Sequence, residues 1–278
     1  MDIVVTTIQE PSWEIIDCGR EIAKKLAVPF TPRGRTSLNN LKDQFHADMV
    51  LVATSNGPVV HTPGGEYFFH LSMAELRIKN IIIGKHDHMI DAMELAFGNS
   101  VLDCTLGLAT DAIVANFVAG SKGRVVGLES SPVIALVTGS GLSRFILAND
   151  ELKITESLRR IEVKNIDYMD YFHSLPDNSF DIVYFDPMFR QPVYRSSCMK
   201  PLRYLTDKQP VTVDAVEEAM RIAKKRVVIK DGRDSEQFAK LGINRFFGGK
   251  YSRIKYGIIH CDQSSLGQKV REAERWNA

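Results

Sequence analysis

Between Val101 and Lys230 the chain alternates short, nearly unbroken apolar runs with amphipathic stretches, and four of the run ends carry polar groups suited to a ligand. The runs Val101–Thr105, Arg124–Leu128, Ile161–Val163, Phe180–Phe185 and Arg226–Lys230 read as strands buried on both faces. Asp111–Ala119 and Asp214–Lys225 read as helices, and a third starts at Ser131-Pro132, a cap residue followed by proline at the first helical position. Continuous apolar strands separated by helices predict an α/β fold whose mostly parallel sheet is covered by helices on both faces. The segment Ile243–Cys261 reads differently, as two strands around Gly248-Gly249, an antiparallel hairpin at one edge of the sheet.

The first hundred residues are less regular. Trp13–Leu26 has a helical pattern that Pro29 and Pro32 stop. Met49–Ala53 and Val59–His61 flank Asn56-Gly57, a hairpin turn signal, and Tyr67–Phe69 reads as a further strand. Residues 81–99 read as one helix leading into the main sheet. The expected organisation is a small α+β appendage over 1–80 and a main domain over 81–278. With 44% hydrophobic residues the 278-residue chain can bury a full core. Its four cysteines, Cys18, Cys104, Cys198 and Cys261, lie far apart, which argues against a disulfide scaffold or a local zinc site and suits a reducing cytosol. There is no apolar stretch near the roughly 20 residues that span a bilayer, and no basic-then-apolar leader. A cytoplasmic protein with no membrane and no metal is expected.

Ligands of open α/β sheets bind at the carboxyl ends of the strands. Four such ends carry polar groups here. The first is the loop from Asp103 to Asp111, where Thr105 and Thr110 offer hydroxyls and Gly107 lets backbone approach closely. The second is Glu129, followed by Ser130, about 20 residues on, where an acid can take both hydroxyls of a ribose. The third is Asn165-Ile166-Asp167-Tyr168, and the fourth is Asp186. The loop is not GxGxxG: position 109 is alanine, and the loop holds Asp103 and Asp111 with no Lys or Arg of its own. A pyrophosphate is therefore disfavoured. A nucleoside with a cationic tail fits better, with carboxylates facing an ammonium and a sulfonium, Glu129 on the ribose and Asp167 on an adenine amine. S-adenosylmethionine has those parts.

Asp186-Pro187-Met188-Phe189 follows an apolar strand and so lies at the same edge. The exocyclic amine of a nucleobase is a poor nucleophile, because its lone pair is delocalised into the ring. A carboxylate and a backbone carbonyl can accept its two N–H groups and orient it for in-line attack on a methyl group. Pro187 fixes the backbone, and Phe189 can stack on the base. Net charge is only +1, yet residues 190–255 hold sixteen Lys and Arg against seven Asp and Glu. Within that region Arg190, Arg195, Lys200 and Arg203 interleave with Tyr194 and Tyr204, a pattern suited to phosphate contacts beside a base pocket.

These motifs resemble the class I S-adenosylmethionine-dependent methyltransferases, and among them the bacterial 16S ribosomal RNA guanine-N2 methyltransferases of small-subunit type J. The likeness rests on the D-x-T-x-G-x-x-x-D loop from Asp103 to Asp111, Leu128-Glu129-Ser130-Ser131-Pro132, Asp186 to Phe189, and Lys225 to Lys230. It covers roughly residues 59–260. It implies a Rossmann-like sheet and methyl transfer to guanine N2 in 16S rRNA or the small subunit. The implied cofactor contacts are Thr110-Asp111, Glu129-Ser130, Asp167-Tyr168 and Asp186. Thr110 stands where the family usually has arginine, Arg190 where it commonly has proline, and Asp167-Tyr168 where it usually has small hydroxylated residues; residues 1–58 match poorly. A protein or small-molecule acceptor, or a non-catalytic RNA-binding protein of the same fold, are the competing readings.

Overall fold

The computed structural model describes residues 2–71, 73–187, 199–206 and 209–261. A four-stranded sheet forms first, in the order β1 (Ile3–Thr7), β2 (Met49–Ala53), β3 (Val59–Thr62), β4 (Gly65–Tyr67). β1 and β2 run parallel, joined through helices Trp13–Leu26 and Leu38–Phe45. β2 turns back into β3 through Asn56-Gly57, and Gly57 takes the positive φ that the turn requires. The third predicted strand of this region lies two residues earlier than expected. β4 ends at Tyr67, and Phe69 instead packs edge-on against Phe145.

The second sheet holds β5 (Ser100–Asp103), β6 (Arg124–Glu129), β7 (Ile161–Asn165), β8 (Phe180–Phe185), β9 (Ala223–Gly232), β10 (Arg245–Phe247) and β11 (Ile254–His260). Their order is β7-β6-β5-β8-β9-β11-β10; the first five run parallel, and the β10–β11 hairpin is antiparallel at the edge. The chain thus winds outward from β5 to β7 on one side, then returns to the other side at β8. The reversal leaves a crevice between the carboxyl ends of β5 and β8.

Alternation along the strands divides the core. Val101, Val125, Ile182, Tyr184 and Val228 face one layer, with helices Ala74–Ile82, His88–Met93 and Thr110–Ala119 against them. Leu102, Val126, Val183, Val227 and Ile229 face the other, beneath Tyr168–His173 and Val213–Ile222. Residues 81–99 are not one helix. The helix ending at Ile82 stops before Gly84 (φ 80°), and Asp87 caps a new one by accepting from the N–H groups of Met89 (3.1 Å) and Ile90 (3.3 Å). Helix Ala74–Ile82 crosses residue 80 and gives Ala74 and Ile78 to the larger sheet's core. Helix Pro132–Arg144 bridges the two sheets, placing Val133, Ile134 and Val137 in one cluster with Ile3, Val5, Leu51 and Val60. None of the helices among the described residues is long and apolar enough to cross a membrane.

Candidate active site

The carboxyl ends of β5, β6, β7 and β8 carry Asp103, Glu129, Asn165 and Asp186, so the four predicted strand ends stand side by side. The loop after β5 is closed tightly. Leu106 N–H donates to Leu128 O (2.9 Å), Gly107 N–H to Glu129 Oε2 (3.0 Å), and Thr138 Oγ1 to Gly107 O (2.6 Å). Ala109, at the start of helix Thr110–Ala119, sits in the left-handed region with φ 60°, a strained choice for a residue with a Cβ.

Glu129 is buried, and its other oxygen accepts from Ser131 N–H (2.9 Å). Burial raises its pKa while the two N–H donors oppose that. Asp103 is also buried and accepts from Thr105 N–H (3.0 Å). Burial pushes it up to about 8, and among the described residues it forms no ion pair. Thr105 Oγ1 in turn accepts from Asp186 N–H (2.6 Å), which ties the loop after β5 to the end of β8. Asp167 is exposed and caps helix Tyr168–His173 by accepting from Met169 N–H (2.8 Å). Asn165 Nδ2 donates to the carbonyls of Glu129 (2.8 Å) and Ser130 (3.1 Å), so β7 steadies the turn after β6. Tyr168 packs against Phe172 and Phe185.

Asp111 is a hub. Its carboxylate accepts from the Arg77 guanidinium, Tyr184 OH (2.8 Å) and Lys230 Nζ (2.9 Å). Burial works against its charge, but Lys230 and Arg77 hold it below the usual carboxylate range. Arg77 also forks onto Asp87, at 2.7 and 2.9 Å. Lys230 bridges onward to Asp186 Oδ2 (2.6 Å). Burial and the neighbouring Asp111 charge push Asp186 up to about 6, against the pull of Lys230. The result is a chain of alternating charge, Asp87–Arg77–Asp111–Lys230–Asp186, that runs from the cap of one helix to the end of β8.

Arg77, Tyr184 and Lys230 were not among the sequence candidates. The loop was expected to have no cation to answer its acids; Arg77 and Lys230 correct this, arriving from distant segments. A signal for Lys230 existed, because it closes the apolar run Arg226–Lys230, and in register Ile229 stands opposite Phe185, one residue before Asp186. For Arg77 there was none, since it lies 34 residues before Asp111 on another helix. Of the remaining candidates, Pro187 follows Asp186 at the strand end, Lys200 is exposed and Arg203 half-buried, while Met188, Phe189, Arg190 and Arg195 lie outside the described residues.

Both cations are engaged by Asp87, Asp111 and Asp186. Asp103 and Glu129 are left as buried acids held only by backbone N–H groups among the described residues, which suits a ligand bringing its own positive charge. No cluster of three or more metal-ligating side chains occurs among the described residues.

Residues 68–255 match the model of a family described as "Putative SAM-dependent methyltransferase". The chain belongs to this family. The methyltransferase uses S-adenosylmethionine as its cofactor. A Bacillus subtilis protein called "Uncharacterized protein YpiP" is 35% identical to it over 256 residues, 92% of this chain and 98% of that one. The ribosomal RNA small subunit methyltransferase J of Mannheimia succiniciproducens is 34% identical over 139 residues, 47% of this chain and 51% of the relative. The chain thus spans about half the length of that relative. A solved structure of a SAM-dependent methyltransferase from Neisseria gonorrhoeae shares the fold, with a TM-score of 0.65 at 18% identity over 94% of this chain and 96% of that one.

Proposed function

We propose that the methyltransferase acts in the cytoplasm on the exocyclic N2 amine of a guanine in 16S ribosomal RNA, free or within the small subunit. The observation that carries this reading is Asp186. It stands at the end of β8 and on the crevice edge, held by Thr105 through its backbone and by Lys230 through its side chain. A carboxylate fixed in this way, with Pro187 setting the backbone after it, can accept the N–H groups of a planar amine and orient its nitrogen. The partial likeness to ribosomal RNA small subunit methyltransferase J supports RNA as the acceptor.

Bound S-adenosylmethionine supplies an electrophilic methyl group on a sulfonium. Glu129 would hold the ribose hydroxyls, since each of its oxygens uses one lone pair on a backbone N–H and keeps another. Asp103 would face the cationic tail, aided by Thr105, Gly107, Thr110 and Asp111 of its loop. Ser130, Asp167 and Tyr168 would border the adenine. Asp186, Pro187, Met188 and Phe189 would hold the base, with Arg190, Arg195, Lys200 and Arg203 on the phosphates.

The test is mass-spectrometric mapping of methylated nucleosides in 16S rRNA from a deletion strain, before and after treatment with purified protein. One N2-methylguanosine should be missing from the strain and restored by the wild type, and Asp186→Ala should transfer about 10²–10³ times more slowly. Transfer only to a protein or small molecule, or full transfer by Asp186→Ala, would overturn the assignment.

A further inference from the structure

The hairpin β10–β11 has no role in the site described above, yet its composition and position are unusual. From Gln237 to Cys261 there is no Asp or Glu, while Lys240, Arg245, Lys250, Arg253 and Lys255 all fall within it. The turn region also presents large aromatic side chains to solvent: Phe246 is 44% exposed, Phe247 40% and Tyr251 89%. Exposed aromatics in such a group ordinarily mark a binding surface. Here the cations are interleaved with them, Lys255 Nζ lying 5.4 Å from the centre of the Phe246 ring and Lys250 Nζ 5.6 Å from that of Tyr251.

The turn is also held in shape. Arg233, just past β9, donates from Nε to Ser252 O (2.8 Å) and from Nη2 to Gly249 O (2.6 Å), while its backbone N–H donates to Arg253 O (2.8 Å). Ser252 N–H closes back on Gly249 O at 3.0 Å. On the inner side Gly249 lies close to the His88 ring, where a Cβ would meet Nε2 at 2.9 Å.

Its placement follows from register. β11 is antiparallel to β9, with Ile254 opposite Gly232 and Tyr256 opposite Lys230. The turn therefore leaves the sheet at the carboxyl end of β9, the same edge that carries Lys230 and Asp186. A rigid, acid-free turn with exposed rings between cations, on the rim of the methyl-transfer crevice, matches what single-stranded nucleic acid needs: flat faces for bases and positive charge for phosphates.

We propose that the β10–β11 turn, through Phe247, Lys250, Tyr251 and Arg253, is a docking surface for single-stranded RNA that leads the acceptor strand into the crevice. This rests on the reading of RNA as the acceptor. Binding can be measured apart from methyl transfer, by fluorescence anisotropy of a labelled single-stranded RNA of about 16 nucleotides without cofactor. Lys250→Glu with Arg253→Glu should weaken binding more than tenfold and lower the slope of log affinity against log salt by about two. Tyr251→Ala should weaken it at least about fivefold with little change in that slope. Thermal midpoint and S-adenosylhomocysteine binding report whether each variant is folded.

Wild-type RNA affinity in folded variants would overturn the proposal. So would a wild-type dimer in analytical ultracentrifugation that Tyr251→Ala dissociates, because the surface would then join two copies of the chain. If the variants lose RNA but the wild type methylates no rRNA nucleotide, the docking surface stands and the acceptor reading falls. If rRNA is methylated and the variants keep the wild-type KM for it, the docking surface falls and the acceptor reading stands.

Discussion

Lys230 is shared by two carboxylates and is more than four-fifths buried at its side chain. Burial opposes its charge, but Asp111 and Asp186 hold it protonated well above the ordinary lysine range. Removing the cation from Asp186 leaves that carboxyl facing Asp111, with Asp103 nearby. In Lys230→Met, Asp186 should therefore titrate above its present value of about 6. The acidic limb of log kcat/KM against pH should move to higher pH, and Lys230→Arg should move it back. A uniform fall in rate at every pH would contradict this. Asp103 gives the opposite lesson. Its folded pKa, about 8, lies above the roughly 4 of an unfolded chain. The folded state binds that proton more tightly, so this contribution to stability is full below about pH 4 and is lost as pH rises through about 8. Asp103→Asn should flatten the fall in thermal midpoint between about pH 5 and pH 9; an unchanged slope would refute it.

At the scale of elements, the loop after β5 depends on a glycine in the neighbouring strand. A Cβ on Gly127, in β6, would meet Leu106 Cδ1 at 2.3 Å and Cγ at 2.9 Å. Leu106 is buried and its N–H is fixed to Leu128 O, so it has little room to retreat. Gly127→Ala should cost about 1–3 kcal/mol by overpacking and weaken S-adenosylhomocysteine binding by displacing Gly107. Chemical denaturation and calorimetry check the two effects; wild-type values in both would show that the loop does not lean on this strand. Two residues past Gly107, Ala109 adopts φ 60° while fully buried. Ala109→Gly should be more stable by about 1 kcal/mol, since the left-handed conformation no longer opposes a Cβ. A lower denaturation midpoint would contradict that assignment of strain.

Over the whole molecule, the small sheet is joined to the catalytic one by apolar packing. Leu51 of β2 and Val60 of β3 share a cluster with Val133, Ile134 and Val137 of the helix that follows Glu129. Leu202 and Leu205, which follow the larger sheet's β8 in the chain, reach the same cluster. The backbone at Lys200 lies against Gly64, where a Cβ would meet Lys200 O at 2.8 Å. Unfolding one sheet would expose the other's core. Leu51→Ala, fully buried and remote from Asp186, should therefore destabilise the whole chain by about 2–5 kcal/mol in a single calorimetric transition. Two transitions, with only the lower one shifted, would show that the sheets unfold independently.

Local physics made much of this legible. Continuous apolar runs can be buried only as inner strands, so Phe180–Phe185 and Arg124–Leu128 announced a parallel sheet, and the polar residues ending them had to fall at one edge. Asp103, Glu129, Asp167 and Asp186 could be placed there from spacing alone. The β10–β11 hairpin was legible in Gly248-Gly249, and the Asn56-Gly57 turn in its glycine. Strand β1 and helix Leu38–Phe45 were not, being short elements whose burial depends on partners far along the chain. The same holds for the charge balance of the site. Sequence pattern records which residues end a strand, but not which distant cation reaches them. Only the packing of helix Ala74–Ile82 brings Arg77 to Asp111, and only the pairing of β8 with β9 sets Lys230 beside Asp186. Charge acts through space rather than along the chain, so those two contacts, and the protonation states they impose, were decided by tertiary structure.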